Sequence, residues 1–79
     1  MQAEDIDRIV LDLIRQVAPE APLDRLRSHQ PFRDQFQFDS VDFLNFILKL
    51  AKATDTTIPE LDYPKLSSLQ GCRDYLKDF

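Results

Sequence analysis

Phe36-Gln37-Phe38-Asp39-Ser40-Val41-Asp42-Phe43-Leu44-Asn45-Phe46-Ile47-Leu48-Lys49-Leu50-Ala51-Lys52-Ala53 is the stretch that decides the fold. A polar loop turns here into an apolar run whose spacing predicts a helix from about Ser40 to Ala53. At roughly 100° per residue its apolar side chains fall in two adjoining stripes. Phe43, Phe46, Ile47 and Leu50 make one stripe, and Val41, Leu44, Leu48 and Ala51 make the other. Asp42, Asn45, Lys49 and Lys52 keep the narrow polar strip that remains. A surface helix needs an apolar stripe of only about 100° to face a core, and this one is apolar over about twice that. Either the helix is central and covered on both sides, or one stripe is left for a partner. A short chain has few residues with which to cover a helix twice, which favours a partner.

Ser40 stands where the helix begins. The first backbone N–H groups of a helix have no intrahelical acceptor, and the helix dipole is positive there. Such a place suits a phosphate ester better than a reactive alkoxide. If Ser40 carries a phosphate-linked group, the chain is a carrier. If it does not, Asp39 and Ser40 are only helix caps, and Asp39-x-x-Asp42 supports capping by itself.

Working outward, Ile6, Ile9, Val10, Leu13, Ile14 and Val17 form one apolar stripe of a first helix. Asp5 and Asp7 favour its start, Arg15 its end, and Pro19 and Pro22 stop it. Residues 19–39 carry three prolines and no sustained periodicity, with Leu23, Leu26, Phe32, Phe36 and Phe38 as apolar anchors; the stretch from Leu23 to Ser28 has room for a short helical turn. A connection of this length is usually functional, disordered or partly helical, and the anchors argue that it packs down. Beyond the second helix, Pro59 suits the first position of a short helix over Glu60 to Tyr63, which Pro64 should end. Ser67 and Gln70 offer a capping box for a last helix with Leu69, Cys72, Leu76 and Phe79 on one face. No strand pattern occurs. The expected fold is all-α, an antiparallel four-helix bundle with three longer helices, one short third helix and a long loop between the first two.

Composition sets the outer limits. The 79 residues allow one domain, 1–79, with no room for a deep enzyme cleft. A net charge of −4 argues against nucleic acid. One cysteine excludes an internal disulfide and fits a reducing compartment. No run is apolar for long enough to span a membrane, and the acidic N-terminus does not fit a signal peptide, so a cytoplasmic monomer is expected. The single histidine, His29, lies in the long loop, and no nucleophile, base and orienting group can be assembled, so no catalytic residue is assigned. No metal site is expected. Cys72 reads as a small core residue on the apolar face of the last helix.

From Phe32 onward the chain resembles the acyl carrier protein family. The attachment motif of that family is an Asp-Ser pair followed by an aliphatic residue and often an acid, here Asp39-Ser40-Val41-Asp42. Phe32 and Phe36 stand at the family's upstream Phe and Leu. Ile58-Pro59, Ser67-Ser68-Leu69 and Asp74-Tyr75-Leu76 fall, without a gap, where the family has its Ile-Pro, Thr-Thr-Val and Asp-Tyr-Ile. The resemblance implies that Ser40, beside Asp39, is esterified by 4′-phosphopantetheine from coenzyme A through a separate Mg²⁺-dependent phosphopantetheinyl transferase. The arm would carry acyl groups as thioesters to acyl-transferring or acyl-activating enzymes in fatty-acid, lipid or specialised acyl metabolism, and the protein itself would catalyse nothing. Val41, Asp42, Leu44, Asn45 and Leu48 would meet those partners, while the other stripe lines the core and the space for a short acyl chain. The rival class is a helical adaptor without an arm.

Departures from the family pattern narrow the reading. Gln37 replaces a Gly three residues before the serine and restricts the loop backbone. Asn45, Ala51 and Lys52 take places that are usually acidic, and Lys49 adds a further positive charge. Generic fatty-acid enzymes, which use basic patches, would therefore dock less well than a dedicated partner. The Gly-Gly of peptidyl carriers is missing, while an aminoacyl load such as D-alanine stays open.

Overall fold

The computed structural model describes residues 1–79. α1 spans Ala3–Val17, with Glu4 and Asp5 in its first turn and Arg15 in its last. It buries Ile6, Val10, Leu13 and Ile14, four of the six residues in the predicted stripe. α2 spans Ser40–Ala53, on the bounds that the apolar spacing predicts. A 3₁₀ helix follows at Glu60–Leu66, then α3 at Leu69–Leu76. The long connection holds two short 3₁₀ turns, Leu23–Arg25 and Phe32–Asp34. The fold is all-α with four helices and no strand, as expected.

α2 closes with a Schellman motif that the sequence reading did not anticipate. Asp55 takes the left-handed conformation (φ 52°), its N–H donates to Lys52 O at 3.3 Å, and Thr56 N–H donates to Ala51 O at 2.9 Å. Asp tolerates this conformation better than most residues.

Three expectations are corrected. Pro64 does not end the third helix, which continues to Leu66 with Pro64 inside it. The clash that makes proline break an α-helix is with the carbonyl four residues back, and the tighter 3₁₀ winding pairs residues three apart instead. The cap of α3 is Ser68, which accepts from Gly71 N–H at 3.0 Å, and not Ser67. Ser67 instead donates its hydroxyl to Pro64 O at 2.9 Å, and the Gln70 side chain bonds Asp74 and Arg73, so the Ser67–Gln70 box does not form. Phe79 lies beyond α3 and is exposed, its ring tilted on Tyr75 at 5.8 Å, while Leu69, Cys72 and Leu76 are buried as predicted.

The core is one cluster of fourteen buried residues, all apolar, drawn from every helix and from the long loop. α1 lies against both α2 and α3. Arg73 clasps α3 to α1 through two bonds of 2.7 Å to the Asp7 carboxylate. The pair is largely shielded, and its fork geometry is the favourable one for an ion pair, contributing on the order of 1 kcal/mol. These bonds, with the nearby Asp7 charge, hold the Arg73 guanidinium above its ordinary range. Tyr75 ties α3 to the 3₁₀ helix by donating to Asp62 Oδ2 at 2.7 Å, and Lys65 adds an ion pair to Asp62 at 3.2 Å.

α3 seats so closely on the 3₁₀ helix that a Cβ at Gly71 would overlap the Lys65 carbonyl oxygen. Backbone cannot yield as a flexible side chain can. Gly71→Ala should therefore destabilise the protein despite alanine's better helix propensity. Overpacking of this kind costs about 1–3 kcal/mol, and each 1 kcal/mol is worth about 4–8 °C of melting temperature at this size. A thermal melt followed by circular dichroism tests it; an unchanged or raised midpoint refutes the close approach.

The Tyr75–Asp62 bond also sets a pH response. It is the leading cause that lowers the Asp62 carboxyl below its ordinary 3.8 and that raises the Tyr75 hydroxyl above its ordinary 10.0. A depressed acid contributes stability that is present above its unfolded pKa and fades as pH falls through the lower folded value. A raised phenol contributes stability that is present below its unfolded pKa and fades as pH rises through the folded value. Tyr75→Phe should thus flatten both the acid limb below about pH 4 and the alkaline limb above about pH 10. Melting temperatures across that range, parallel for the two proteins, would falsify this coupling.

Candidate functional site

Everything around Ser40 is set by aromatic anchors upstream. Phe32 is buried, and its ring meets Phe38 edge-on at 5.8 Å, Phe46 edge-on at 5.6 Å and Phe36 at 6.1 Å. Such pairs contribute about 0.5–1.5 kcal/mol each beyond the area they bury. The backbone is pinned at the same place: Phe32 N–H donates to Ser67 O, and Gln70 N–H to Ser28 O, both at 2.8 Å. Gln70 lies in the first turn of α3, so the loop carbonyl satisfies one of that helix's orphan donors. Gln35 closes the loop on itself, accepting from Arg27 N–H at 2.6 Å and donating to Arg27 O and Gln30 O at 2.8 and 2.9 Å. The long connection packs down, as its anchors predict, and neither Gln35 nor the two pins carried a sequence signal.

The start of α2 is doubly fixed. Asp39 is its N-cap: Oδ1 accepts from Asp42 N–H at 2.8 Å, while Asp42 Oδ2 accepts from Asp39 N–H at 3.3 Å. The residue before the cap, Phe38, meets Phe43 in the first full turn, with centroids at 6.2 Å. A capping box and a hydrophobic staple thus act together. Ser40 is the first helical residue and is not the cap. Its side chain is exposed and its hydroxyl is engaged with no other group of the chain. The N–H groups of Ser40 and Val41 find no acceptor on the chain. Gln37 is exposed and its backbone is not left-handed, so the loop holds its shape without glycine at that position.

Ser40 and Asp39 edge an open cleft of about 350 Å³. Phe32, Phe38, Phe43 and Tyr63 supply its aromatic walls, and Arg33 is the one cationic side chain that lines it. Arg33 and Tyr63 were not singled out from the sequence. Arg33 was legible in principle: on a short turn whose Phe32 faces the core, the next residue is forced outward.

The two stripes of α2 separate except at Ala51, which the spacing assigns to the second stripe but which is partly buried against the core. Phe46, Ile47 and Leu50 are buried and Phe43 partly so, whereas Val41, Leu44 and Leu48 are 64%, 44% and 55% exposed. Asn45 and Lys52 lie on the exposed face with them; Asp42 is partly buried in the capping box. Lys49 turns toward α1 and donates to Gln16 at 3.3 Å. Away from this face, His29 is exposed in the loop, and no three His, Cys, Asp or Glu side chains gather as metal ligands would. Cys72 is fully buried; burial first, and then the Asp7 charge, push its thiol up to about 12, which keeps it protonated and unreactive. No helix is long and apolar enough to cross a membrane.

Comparison with curated proteins finds a similarity to the acyl carrier protein of Chlorobium phaeobacteroides, 32% identical over 53 residues, which cover 67% of this chain and 68% of that one. No family model matches the chain, and no solved structure matches it. With that identity spread over two thirds of both proteins, on an all-α chain of four helices, this protein belongs to the acyl carrier protein family.

Proposed function

We propose that residues 1–79 form one carrier domain that holds acyl groups as thioesters on a 4′-phosphopantetheine arm attached to Ser40, and that the domain performs no chemistry of its own. The observation that carries this reading is the exposed, uncommitted hydroxyl of Ser40, held by a rigid cap at the rim of an open cleft, in a chain of this family.

The residues fit the group. Asp39 and Asp42 do the capping, so substitution on the Ser40 oxygen breaks no bond that holds the helix. The free N–H groups of the first turn and the helix dipole favour a phosphate there. When attached, the arm supplies a terminal thiol that bears the acyl group. The chain offers no base beside Ser40: Asp39 is committed to the cap, and the single histidine is in the loop. The proton of the Ser40 hydroxyl must therefore be taken by the transferase that modifies it. Loading and unloading fall likewise to partner enzymes, which makes the domain a substrate of its partners. Its cargo class is acyl or aminoacyl.

Partners are read as docking on Val41, Leu44 and Leu48, with Asn45 beside them and Asp42 at the edge. The exposed face of α2 carries Lys52 and no acid at its centre, so long-range steering by basic enzyme surfaces is weak and apolar contact supplies the affinity. This favours a dedicated partner in a specialised acyl pathway over the generic fatty-acid enzymes.

Ser40→Ala should fold with an unchanged helical signal and accept no arm. Intact mass after incubation with coenzyme A and a promiscuous phosphopantetheinyl transferase reads this directly. A mass gain that persists in the variant moves the site elsewhere, and a wild-type protein that gains no mass leaves the helical adaptor as the reading.

Leu44→Ser should slow loading by the cognate acyl-activating or acyl-transferring enzyme about tenfold, the equivalent of about 1.4 kcal/mol, while the melting temperature stays within a few degrees. Raising salt from 50 to 500 mM should change the wild-type rate little. An unfolded variant shows the stripe to be core; a steep salt dependence shows docking to be electrostatic.

A further inference from the structure

The environment of Ser40 poses an electrostatic problem. An anion placed on this oxygen would join the carboxylates of Asp39 and Asp42, which are locked in the capping box on either side. Two fixed negative charges within one turn disfavour a third, and the helix dipole, equivalent to about half a positive charge, offsets only part of that. Among the ten residues lining the cleft, one carries a positive side chain, Arg33. Its backbone is held by the 3₁₀ turn Phe32–Asp34, through the buried Phe32 ring and the Phe32 N–H bond to Ser67 O. Its guanidinium forms no hydrogen bond and no ion pair with any other residue; the three ion pairs of the chain are Arg8–Asp5, Lys65–Asp62 and Arg73–Asp7. An unpaired guanidinium on a fixed backbone turn thus lines a cleft whose only other charge is the Asp39 carboxylate, already shared with the Asp42 N–H. Guanidinium is the side chain best shaped to grip phosphate or carboxylate through two parallel bonds.

We infer that Arg33 is a positioning residue that binds an anion carried by the arm on Ser40 and so lays the arm along the aromatic cleft of Phe32, Phe38, Phe43 and Tyr63. This inference rests on the carrier reading. The anion has two possible sources with one chemistry: the phosphodiester at the root of the arm, or a carboxylate at the end of a cargo folded back into the cleft. The cleft volume is within the range of small-molecule sites, and its mostly apolar wall with one placed charge is the usual composition of such a site.

The test compares apo- and arm-bearing forms of the wild type, Arg33→Gln and Arg33→Lys, each shown fully modified by intact mass. The arm-bearing forms are examined unloaded, with a butyryl group and with a succinyl group. In the apo state Arg33→Gln should melt within about 2 °C of the wild type, because the side chain has no partner to lose. Attaching the arm should then cost Arg33→Gln about 2–4 °C more than it costs the wild type, on the scale of an exposed ion pair in a domain of this size. Arg33→Lys should recover much of that difference, and 1 M salt should erase it. The Arg33 Nε–H signal of the wild type should shift when the arm is added. The extra cost in the unloaded form assigns the anion as the phosphodiester; a cost confined to the succinyl form assigns it as the cargo carboxylate. Equal costs in wild type and Arg33→Gln for every form, with an unmoved Nε–H signal, overturn the inference while leaving the carrier reading intact. A wild-type protein that gains no mass overturns the carrier reading first, and this inference with it.

Discussion

The burial of Phe32 is the constraint on which the rest depends. It lies in a connection that has no long helix of its own, yet its ring is enclosed by Phe36, Phe38 and Phe46 and its N–H is bonded across to Ser67. One residue therefore joins the loop, α2 and the approach to α3. From it follow the direction of Phe38 into the core, the cap at Asp39 directly after Phe38, and the outward placement of Arg33 directly after Phe32 in the turn. A loop held in this way arrives at Ser40 with little freedom left, and the hydroxyl is presented at a fixed point. Truncating such a ring costs about 3–5 kcal/mol, a large part of the total stability of a domain this small, which is roughly 4–12 kcal/mol.

Two anchoring modes thus meet at the candidate site. The backbone is fixed by polar bonds of good geometry, the reciprocal Asp39–Asp42 box and the Gln35 clasp. The side chains are fixed by aromatic contacts, of which Phe38–Phe43 at 6.2 Å lies directly beneath the first turn of α2. Neither mode uses Ser40. A residue that the structure supports from all sides but does not itself need is free to be modified without loss of the fold, and its surroundings are stiff enough to place whatever it bears.

What could be read from the sequence follows the range of the interactions. α2 was legible to the residue because its apolar spacing, its Asp-x-x-Asp start and its polar end are all local. α1 was legible from its stripe, and Phe32, Phe36 and Phe38 as anchors from their hydrophobicity alone. The α3 cap was misplaced by one residue because Ser67 and Ser68 are equivalent locally; what separates them is the close seating of Gly71 on the Lys65 carbonyl and the use of Ser67 O by Phe32, both tertiary facts. Pro64 was read as a stop because that rule belongs to α-helices, and the sequence does not announce a 3₁₀ winding. The Asp7–Arg73 clasp, 66 residues apart in the chain, has no local signature at all. At the site, Ser40 and the exposed stripe were visible; the outward direction of Arg33 was legible from its place after Phe32, but that it shares a cleft with Tyr63 depends on the packing of the loop against the 3₁₀ helix.

The exposed stripe of α2 is best judged against the stability it forgoes. Val41, Leu44 and Leu48 keep about half of their surfaces in water. Full burial of such a side chain stabilises by about 1.5–3 kcal/mol, so each leaves about 1 kcal/mol unrealised. Three of them on one face amount to a sizeable fraction of the net stability of a chain this short. Single exposed aliphatic residues are common and need no account, but aligned ones rimmed by polar residues mark a surface that is covered some of the time. The buried stripe of the same helix shows that the sequence can place large apolar side chains into the core where folding requires it. Folding therefore explains Phe46, Ile47 and Leu50, whereas it leaves Val41, Leu44 and Leu48 exposed for the association proposed above. Because Val41 directly follows Ser40, whatever covers that face also meets the group that Ser40 would bear.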